Sequence, residues 1–123
     1  MGWAGAYRAS DRNIGVDFWR ISGAVRDLVE DAKYWFAPAS TTPVDQAATE
    51  LHHRLVQIHP FPNGNGRHSR AFTNLVLRAA GTDPFTWGRT DLVTPGKTRQ
   101  AYIAALRAAD GGEYGPLSDF VRT

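Results

Sequence analysis

The chain has 123 residues, of which 42% are hydrophobic and 21% are charged, and its formal net charge is +2. These values are typical of one globular domain and exclude a disordered, collagen-like or low-complexity chain. The lack of cysteine excludes a disulfide framework, and the scattered basic residues disfavour nucleic-acid binding, which needs clustered phosphate contacts.

The sequence shows no membrane span and no targeting signal. No apolar run approaches the roughly 20 residues that cross a bilayer, and the N-terminus lacks a charged region followed by an apolar one. We therefore expect a cytoplasmic protein without membrane contact. No repeat or linker divides the sequence, so residues 1–123 are expected to form a single domain.

The first predicted elements are a short hairpin and two helices. The segment WAGAYRASDRNIGVD has a turn-rich centre between two stretches of extended character, which indicates a small β-hairpin or an ordered loop. Apolar residues recur at helical spacing from about Phe18 to Phe36, which predicts the first helix. The second is predicted from Thr42 as N-cap, with Pro43 at its first position, and runs into His59.

The rest of the chain predicts three further helices. These run from Asn65 or Gly66 to Gly81, from Thr94 to Gly111, and from Pro116 onward. The predicted fold class is therefore mainly α: a small helical bundle with one short β-hairpin over about residues 5–18.

The stretch HPFPNGNGRHSR, residues 59–70, joins the second predicted helix to the third. A helix start attracts anions through its free N–H groups and its dipole, and glycines let the backbone approach a phosphate closely. Arg67 and Arg70 share one helix face, and their guanidinium groups can grip phosphate oxygens in pairs. The pattern predicts a cradle for a polyphosphate.

Two further residues of this stretch suit catalysis. His59 lies across the loop, where a neutral imidazole can take the proton of a hydroxyl that attacks a bound phosphate. Asn63 offers an amide oxygen, a weak ligand for a hard cation such as Mg²⁺. From spacing alone an ordinary helix start and a structural histidine stay open as the alternatives.

The other histidines are not predicted to carry chemistry. His52 and His53 are adjacent, so they cannot share a helix face, and no carboxylate stands at metal-binding spacing. His68 is expected to be a solvated helix residue. The sequence therefore disfavours a zinc site.

The stretch from His59 to Arg70 resembles the signature of the Fic/Doc family, HPFx(D/E)GNGRxxR, except that Asn63 stands where the family has an acid. AGAYRASDRNIGVD is similar to the segment that leads into the family's β-hairpin flap above the active site. YIAALRAADGGEYGPLSDFVR is similar to its closing helices. Within the family, the sequence most resembles the Fic-like proteins called mobile mystery protein B. The family's usual first helix is not found before the flap, which suggests an N-terminally truncated form.

The resemblance implies transfer of AMP from ATP to a Ser, Thr or Tyr hydroxyl of a target protein, with Mg²⁺ or Mn²⁺ as the metal. It implies that His59 is the general base and that Phe61 is a buried anchor of the loop. The implied phosphate-binding residues are Gly64, Asn65, Gly66, Arg67 and Arg70.

The resemblance also implies roles for the flap and for position 63. Ile14, Gly15 and Val16 are expected to pair with an extended segment of the target. Asn63 takes the place of the metal ligand, with an amide oxygen instead of a carboxylate. A catalytically weak or silent module that binds a nucleotide or a partner protein is therefore the alternative.

The resemblance leaves the donor and the regulation open. The family also contains phosphorylating, uridylylating and phosphocholine-transferring members, although Gly66 differs from the lysine of the kinase-like Doc branch and favours AMP transfer. No glutamate of this chain fits the family's inhibitory (S/T)xxxE(G/N) motif. A bacterial antitoxin-like inhibitory chain and self-association stay open as partners.

Overall fold

The computed structural model describes residues 6–11, 15–89 and 91–123. The helices of these residues are α1 (Ile21–Trp35), α2 (Val44–Ile58), α3 (Asn65–Ala79), α4 (Lys97–Asp110) and α5 (Gly115–Val121). Single 3₁₀ turns are formed by Phe18–Arg20 and Trp87–Arg89. The described part of the chain contains no strand and no helix long and apolar enough to span a bilayer. The prediction of a mainly α fold is confirmed.

Helix α2 lies at the centre of the molecule and contacts α1, α3, α4 and α5. One face of α2 packs Leu51, Leu55 and Ile58 against Ile21 and Leu28 of α1. Another face belongs to a second core cluster, formed by Ala48, Leu77, Phe85, Trp87, Leu92, Tyr102, Ala105, Ala109, Leu117, Phe120 and Val121. Burying each large apolar side chain stabilises the fold by about 1.5–3 kcal/mol, so α2 holds the bundle together.

The predicted β-hairpin near the N-terminus is wrong for the described residues, which form a loop and then a 3₁₀ turn. The described backbone of this segment bonds to the end of α2: Arg8 N–H donates to Pro60 O at 2.9 Å, and Val16 N–H donates to Ile58 O at 3.4 Å. The Asp11 carboxylate accepts a hydrogen bond from Phe18 N–H at 2.7 Å, which leads the chain into the turn. Residues 12–14 of the predicted hairpin lie outside the described residues.

Helix α4 begins later than the Thr94–Pro95 pattern predicts. The Thr94 hydroxyl donates to Asp91 Oδ2 at 2.5 Å, and Val93 N–H donates to Asp91 Oδ1 at 2.8 Å. These bonds close a turn around Asp91 and remove Thr94 as a helix cap, so α4 begins at Lys97 after Gly96.

Candidate active site

The loop between α2 and α3 begins and ends with residues in the left-handed region of backbone space. His59 closes α2 with φ 52° and ψ 59°, and its N–H donates to Leu55 O at 3.1 Å. Gly64, with φ 74°, precedes the first residue of α3. A left-handed backbone is costly for a residue other than glycine and is commonly found at functional sites, where neighbouring groups hold it in place.

Arg8 supplies the contacts that hold this conformation. Its Nε donates to His59 O at 2.6 Å, and its Nη2 donates to Ile58 O at 3.3 Å and also to Val16 O. Nη1 donates to Ser10 O at 3.0 Å, and the side chain is fully buried. A buried guanidinium is tolerated only where its donors are satisfied, so Arg8 ties the N-terminal segment to the backbone of His59.

Gly15 packs directly against His59. A Cβ atom at Gly15 would lie 2.6 Å from the Cβ of His59 and 2.9 Å from Ile58 O, and the backbone has φ 90°. Only glycine combines that backbone angle with so close an approach. Val16 follows immediately, so two of the three predicted flap residues lie beside His59, while Ile14 is outside the described residues.

Asn65 closes the middle of the loop with its side chain. Its Oδ1 accepts from Phe61 N–H and its Nδ2 donates to Phe61 O, both at 2.8 Å. Phe61 is 7% exposed, and its ring packs against the His68 ring with centroids 4.5 Å apart. Partial burial lowers the pKa of His68. Because both ends of the Asn65 amide are engaged, its backbone N–H is the group that it offers to a phosphate.

The start of α3 has the character of an anion site. No side chain caps this helix, so the N–H groups of Asn65, Gly66 and Arg67 have no acceptor within the helix. A Cβ atom at Gly66 would lie 3.1 Å from Nη1 of Arg70, which places that guanidinium over the first turn. N–H donors, the helix dipole and two arginines are therefore concentrated at one point.

A buried polar chain supports Arg70 from the core. Its guanidinium carbon lies 5.6 Å from the ring centroid of Tyr102, and the Tyr102 hydroxyl is 2.7 Å from Nε2 of His52. Burial raises the pKa of Tyr102, against the opposing effect of Arg70. Burial, reinforced by the charge of Arg70, lowers the pKa of His52 to about 3. His52 is therefore neutral near pH 7 and has a structural role.

The neighbouring His53 has different partners, as expected for adjacent residues of a helix. Its Nε2 lies 2.8 Å from Oδ1 of Asp110, and its Nδ1 lies 3.1 Å from the Tyr114 hydroxyl. This group joins α2 to the end of α4 and the start of α5, away from the loop that contains His59.

A cleft of about 320 Å³ opens where α3 faces α4. On one side it is lined by residues 64–67 and Arg70, and on the other by Arg99, Tyr102 and Ile103. The sequence alone does not identify Arg99, because no local pattern shows that the first turn of α4 faces the start of α3. The lining of this cleft therefore combines positively charged side chains with apolar ones.

An apolar groove of about 500 Å³ lies on another side of the bundle, between α1, α2 and α3. Lys33 and His68 are the only titratable side chains among its lining residues apart from Tyr7. Such a surface does not suit a phosphate, so the cleft at the start of α3 is the better candidate site.

The position expected to bind metal carries an exposed amide, Asn63. Within the described ranges, no group of three or more His, Cys, Asp or Glu side chains could hold a metal ion. One neutral oxygen is too little for a resident cation, but it fits one that binds together with nucleotide phosphates.

A family model and two curated relatives each match more than half of the chain. The model of the Fic/DOC family matches residues 3–77. The chain is 32% identical over 99 residues to the protein adenylyltransferase fic-1 of Caenorhabditis elegans, a match that covers 79% of this chain and 18% of that protein. It is 31% identical over 120 residues to the protein adenylyltransferase Fic of Drosophila virilis, covering 95% and 23%.

A solved structure of Fic-1 from C. elegans shares the fold. Its TM-score is 0.70 at 29% sequence identity, and the match covers 98% of this chain and 34% of the solved chain. The chain thus spans about a fifth of the length of the two curated relatives.

Proposed function

Because the chain belongs to the Fic/DOC family, whose model matches residues 3–77, we propose that it is a protein adenylyltransferase. In the proposed reaction AMP passes from ATP to a Ser, Thr or Tyr hydroxyl of a target protein. The observation that carries the proposal is the loop that leads from His59, at the end of α2, to a helix start that lines a cleft with Arg67 and Arg70. Relatives named protein adenylyltransferases support the same reaction.

The proposed chemistry assigns one task to each side of the loop. The imidazole of His59 takes the proton of the target hydroxyl as its oxygen bonds to the α-phosphorus of ATP. The bond from that phosphorus to the bridging oxygen of the β-phosphate breaks, and pyrophosphate leaves. The N–H groups of Asn65 and Gly66 donate to the developing charge, and Arg67 and Arg70 hold the outer phosphates.

The residues beside His59 suit the entry of a target. Gly15 and Val16 lie against the end of α2, so a target segment that contacts them brings its hydroxyl close to His59. An inhibitory antitoxin-like chain, self-association and a cytoplasmic location stay predictions. The two curated relatives described above come from animals, so a bacterial source and membership of the mobile mystery protein B group also stay predictions.

Asn63 is the residue of this loop that would hold a divalent cation, through its amide oxygen. Mg²⁺ or Mn²⁺, when bound, would neutralise phosphate charge and make pyrophosphate a better leaving group. The neutral ligand predicts weak binding and a need for high metal concentration.

The same residue favours a second candidate function. If a neutral amide holds the cation too weakly for catalysis, the domain binds a nucleotide or a partner without transferring AMP. In that case ATP binding depends on Arg67 and Arg70, whereas His59→Ala changes nothing measurable.

Transfer of label from ATP tests the proposal directly. The chain is incubated with α-³²P-labelled ATP, Mg²⁺ or Mn²⁺ and a cell lysate, and labelled proteins are identified by mass spectrometry. We expect labelled protein with the wild type and a rate about 10² to 10⁴ lower with His59→Ala, because the positioned base is lost. His53→Ala is the matched control, since His53 lies outside the loop and its loss leaves the base in place.

Equal labelling by the wild type and by His59→Ala contradicts the proposed reaction. ATP binding without labelling supports the second candidate.

A further inference from the structure

We propose that Arg99 is a third phosphate-binding arginine of the cleft and that it makes the site selective for a nucleoside triphosphate. The inference deepens the proposed function and rests on it for the identity of the donor. It concerns a residue in the first turn of α4, outside the loop from His59 to Arg70.

The position of Arg99 follows from the face that α4 presents to α3. Arg99, Tyr102 and Ile103 are spaced i, i+3 and i+4, so they share one helix face, and all three line the cleft. Tyr102 contacts Arg70 through its ring at 5.6 Å. Arg99 lies one turn nearer the helix start than Tyr102 and lines the cleft from α4, across from the first turn of α3 that carries Arg70.

The charge of Arg99 is available to a ligand. Its side chain forms no ion pair and no side-chain hydrogen bond with the residues that the structure describes, and the same holds for Arg67. Asp91 lines a neighbouring pocket together with Arg67 and Arg70, but its carboxylate accepts hydrogen bonds from the Thr94 hydroxyl and from Val93 N–H. The hydrogen bond from Thr94, followed by the one from Val93, keeps the pKa of Asp91 low. Guanidinium groups without acidic partners are suited to phosphate oxygens.

The arrangement selects a polyphosphate tail. The α-phosphate must lie within reach of His59, at the loop, whereas Arg70 lies over the first turn of α3 and against α4. Arg99 lines the same cleft as Arg70, and His59 is not among the lining residues, so we infer that the guanidinium of Arg99 meets the phosphates beyond the α-phosphate. With Asn63 in place of an acid, more of the negative charge of the tail must be neutralised by arginine. Three arginines suit a triphosphate better than a donor with one or two phosphates.

The test measures the affinities of ATP, ADP and AMP by titration calorimetry on the whole chain, in the presence of Mg²⁺. We expect Arg99→Ala to bind ATP roughly tenfold more weakly while AMP affinity stays within about twofold, because one charge-assisted contact to an outer phosphate is lost. Arg99→Lys keeps the charge without the planar fork, so its ATP affinity is expected to lie between those of the wild type and Arg99→Ala. Arg107→Ala, an exposed arginine two turns further along α4, is the matched control and is expected to bind like the wild type.

Unchanged ATP affinity in Arg99→Ala overturns the proposal, and so does an equal loss for ATP and AMP. Circular dichroism verifies that the variants are folded, and if Arg99→Ala does not fold, the same comparison of ATP with AMP is made on Arg99→Lys. Binding and transfer are measured separately. If the wild type binds ATP but labels no protein, the proposed transfer reaction is contradicted. A selective loss of ATP affinity in Arg99→Ala would still support the assignment of Arg99 in that case.

Discussion

At the scale of single residues, the proposed reaction depends on how position 63 would hold a divalent cation. The amide of Asn63 offers one neutral oxygen, whereas a carboxylate adds a negative charge at the same place. We therefore predict that Asn63→Asp lowers the half-saturating Mg²⁺ concentration for AMP transfer, by about tenfold, since Mg²⁺ usually binds through one or two carboxylates. The measurement is the labelling rate across a series of Mg²⁺ concentrations.

Gln46→Glu is the control for this change. It makes the same replacement of an amide by a carboxylate on the exposed first turn of α2, far from the loop. We expect it to leave the Mg²⁺ dependence unchanged. An Asn63→Asp variant with the metal dependence of the wild type would show that position 63 does not contact the cation.

Another residue-scale feature is the pairing of Gly66 with Arg70. A Cβ atom at position 66 would press on the guanidinium of Arg70, which in turn lies against Tyr102. The small residue therefore sets the place of the Arg70 guanidinium, which we propose to hold a phosphate. Glycine is needed at position 66 for steric reasons and not for a left-handed backbone, since this position lies inside α3.

At the scale of elements, the N-terminal segment depends on Arg8 for its attachment to α2. Arg8→Ala leaves the carbonyl groups of Val16, Ile58 and His59 without this donor. We predict a loss of about 2 to 4 kcal/mol in the free energy of unfolding, because buried acceptors lose their partner. We also predict a fall of at least tenfold in transfer rate with ATP affinity nearly unchanged, since the start of α3 is untouched.

Denaturant unfolding, calorimetric ATP titration and single-turnover labelling measure these three quantities. Arg8→Lys is expected to recover part of the stability but little of the rate, because one ammonium cannot reach all the carbonyls that the guanidinium fork reaches. Arg26→Ala, an exposed arginine of α1, is the control. Wild-type transfer by Arg8→Ala would show that His59 keeps its geometry without this residue.

The elements that the sequence predicted correctly are those with local signals. The apolar periodicity of α1 and α2 and the glycine that follows α3, Gly81, act within a few residues, and these helices are found close to their predicted bounds. The hairpin prediction failed for the described residues because Arg8 and Val16 bond to Pro60 and Ile58, which lie more than 40 residues further along the chain. The cap at Thr94 failed because Asp91 takes its hydroxyl.

The sequence indicates the loop of the candidate site but not the residues that pack around that loop. The residues from His59 to Arg70 are contiguous, so their spacing alone indicates the phosphate chemistry. Arg8 and Arg99 come from distant parts of the chain, and neither stands in a pattern that marks it among the other arginines. Only the packing of the N-terminal segment and of α4 against the loop identifies them.

At the scale of the whole molecule, the cleft and the core are joined through one buried histidine. His52 lies in α2, contacts Trp87 with ring centroids 4.5 Å apart, and meets the Tyr102 hydroxyl of α4. Tyr102 in turn contacts Arg70 at the cleft. A protonated His52 would place a second positive charge near Arg70 inside the core, so the folded state requires the neutral form.

This requirement predicts that acid destabilises the fold through His52. Burial lowers the pKa of His52 to about 3, whereas in the unfolded chain a histidine titrates near 6.5. Between these two values the unfolded state binds the extra proton, so the free energy of unfolding falls as the pH falls. The slope from this residue is about 1.4 kcal/mol per pH unit below pH 6. Urea unfolding at pH 6.5, 5.5 and 4.5 measures it.

A variant without the titrating group separates His52 from the carboxylates. We expect His52→Gln to be less stable than the wild type at every pH. Between pH 5.5 and 4.5, however, its free energy of unfolding should fall by about 1 kcal/mol less than that of the wild type. His68→Gln is the matched control, because His68 is exposed and its pKa is lowered only by partial burial. Asp45 does not interfere, since its pKa, held low by the hydrogen bond from Arg122, lies below this range. An unchanged slope in His52→Gln would mean that His52 does not stay neutral in the folded state, and that the support of Arg70 from the core does not depend on it.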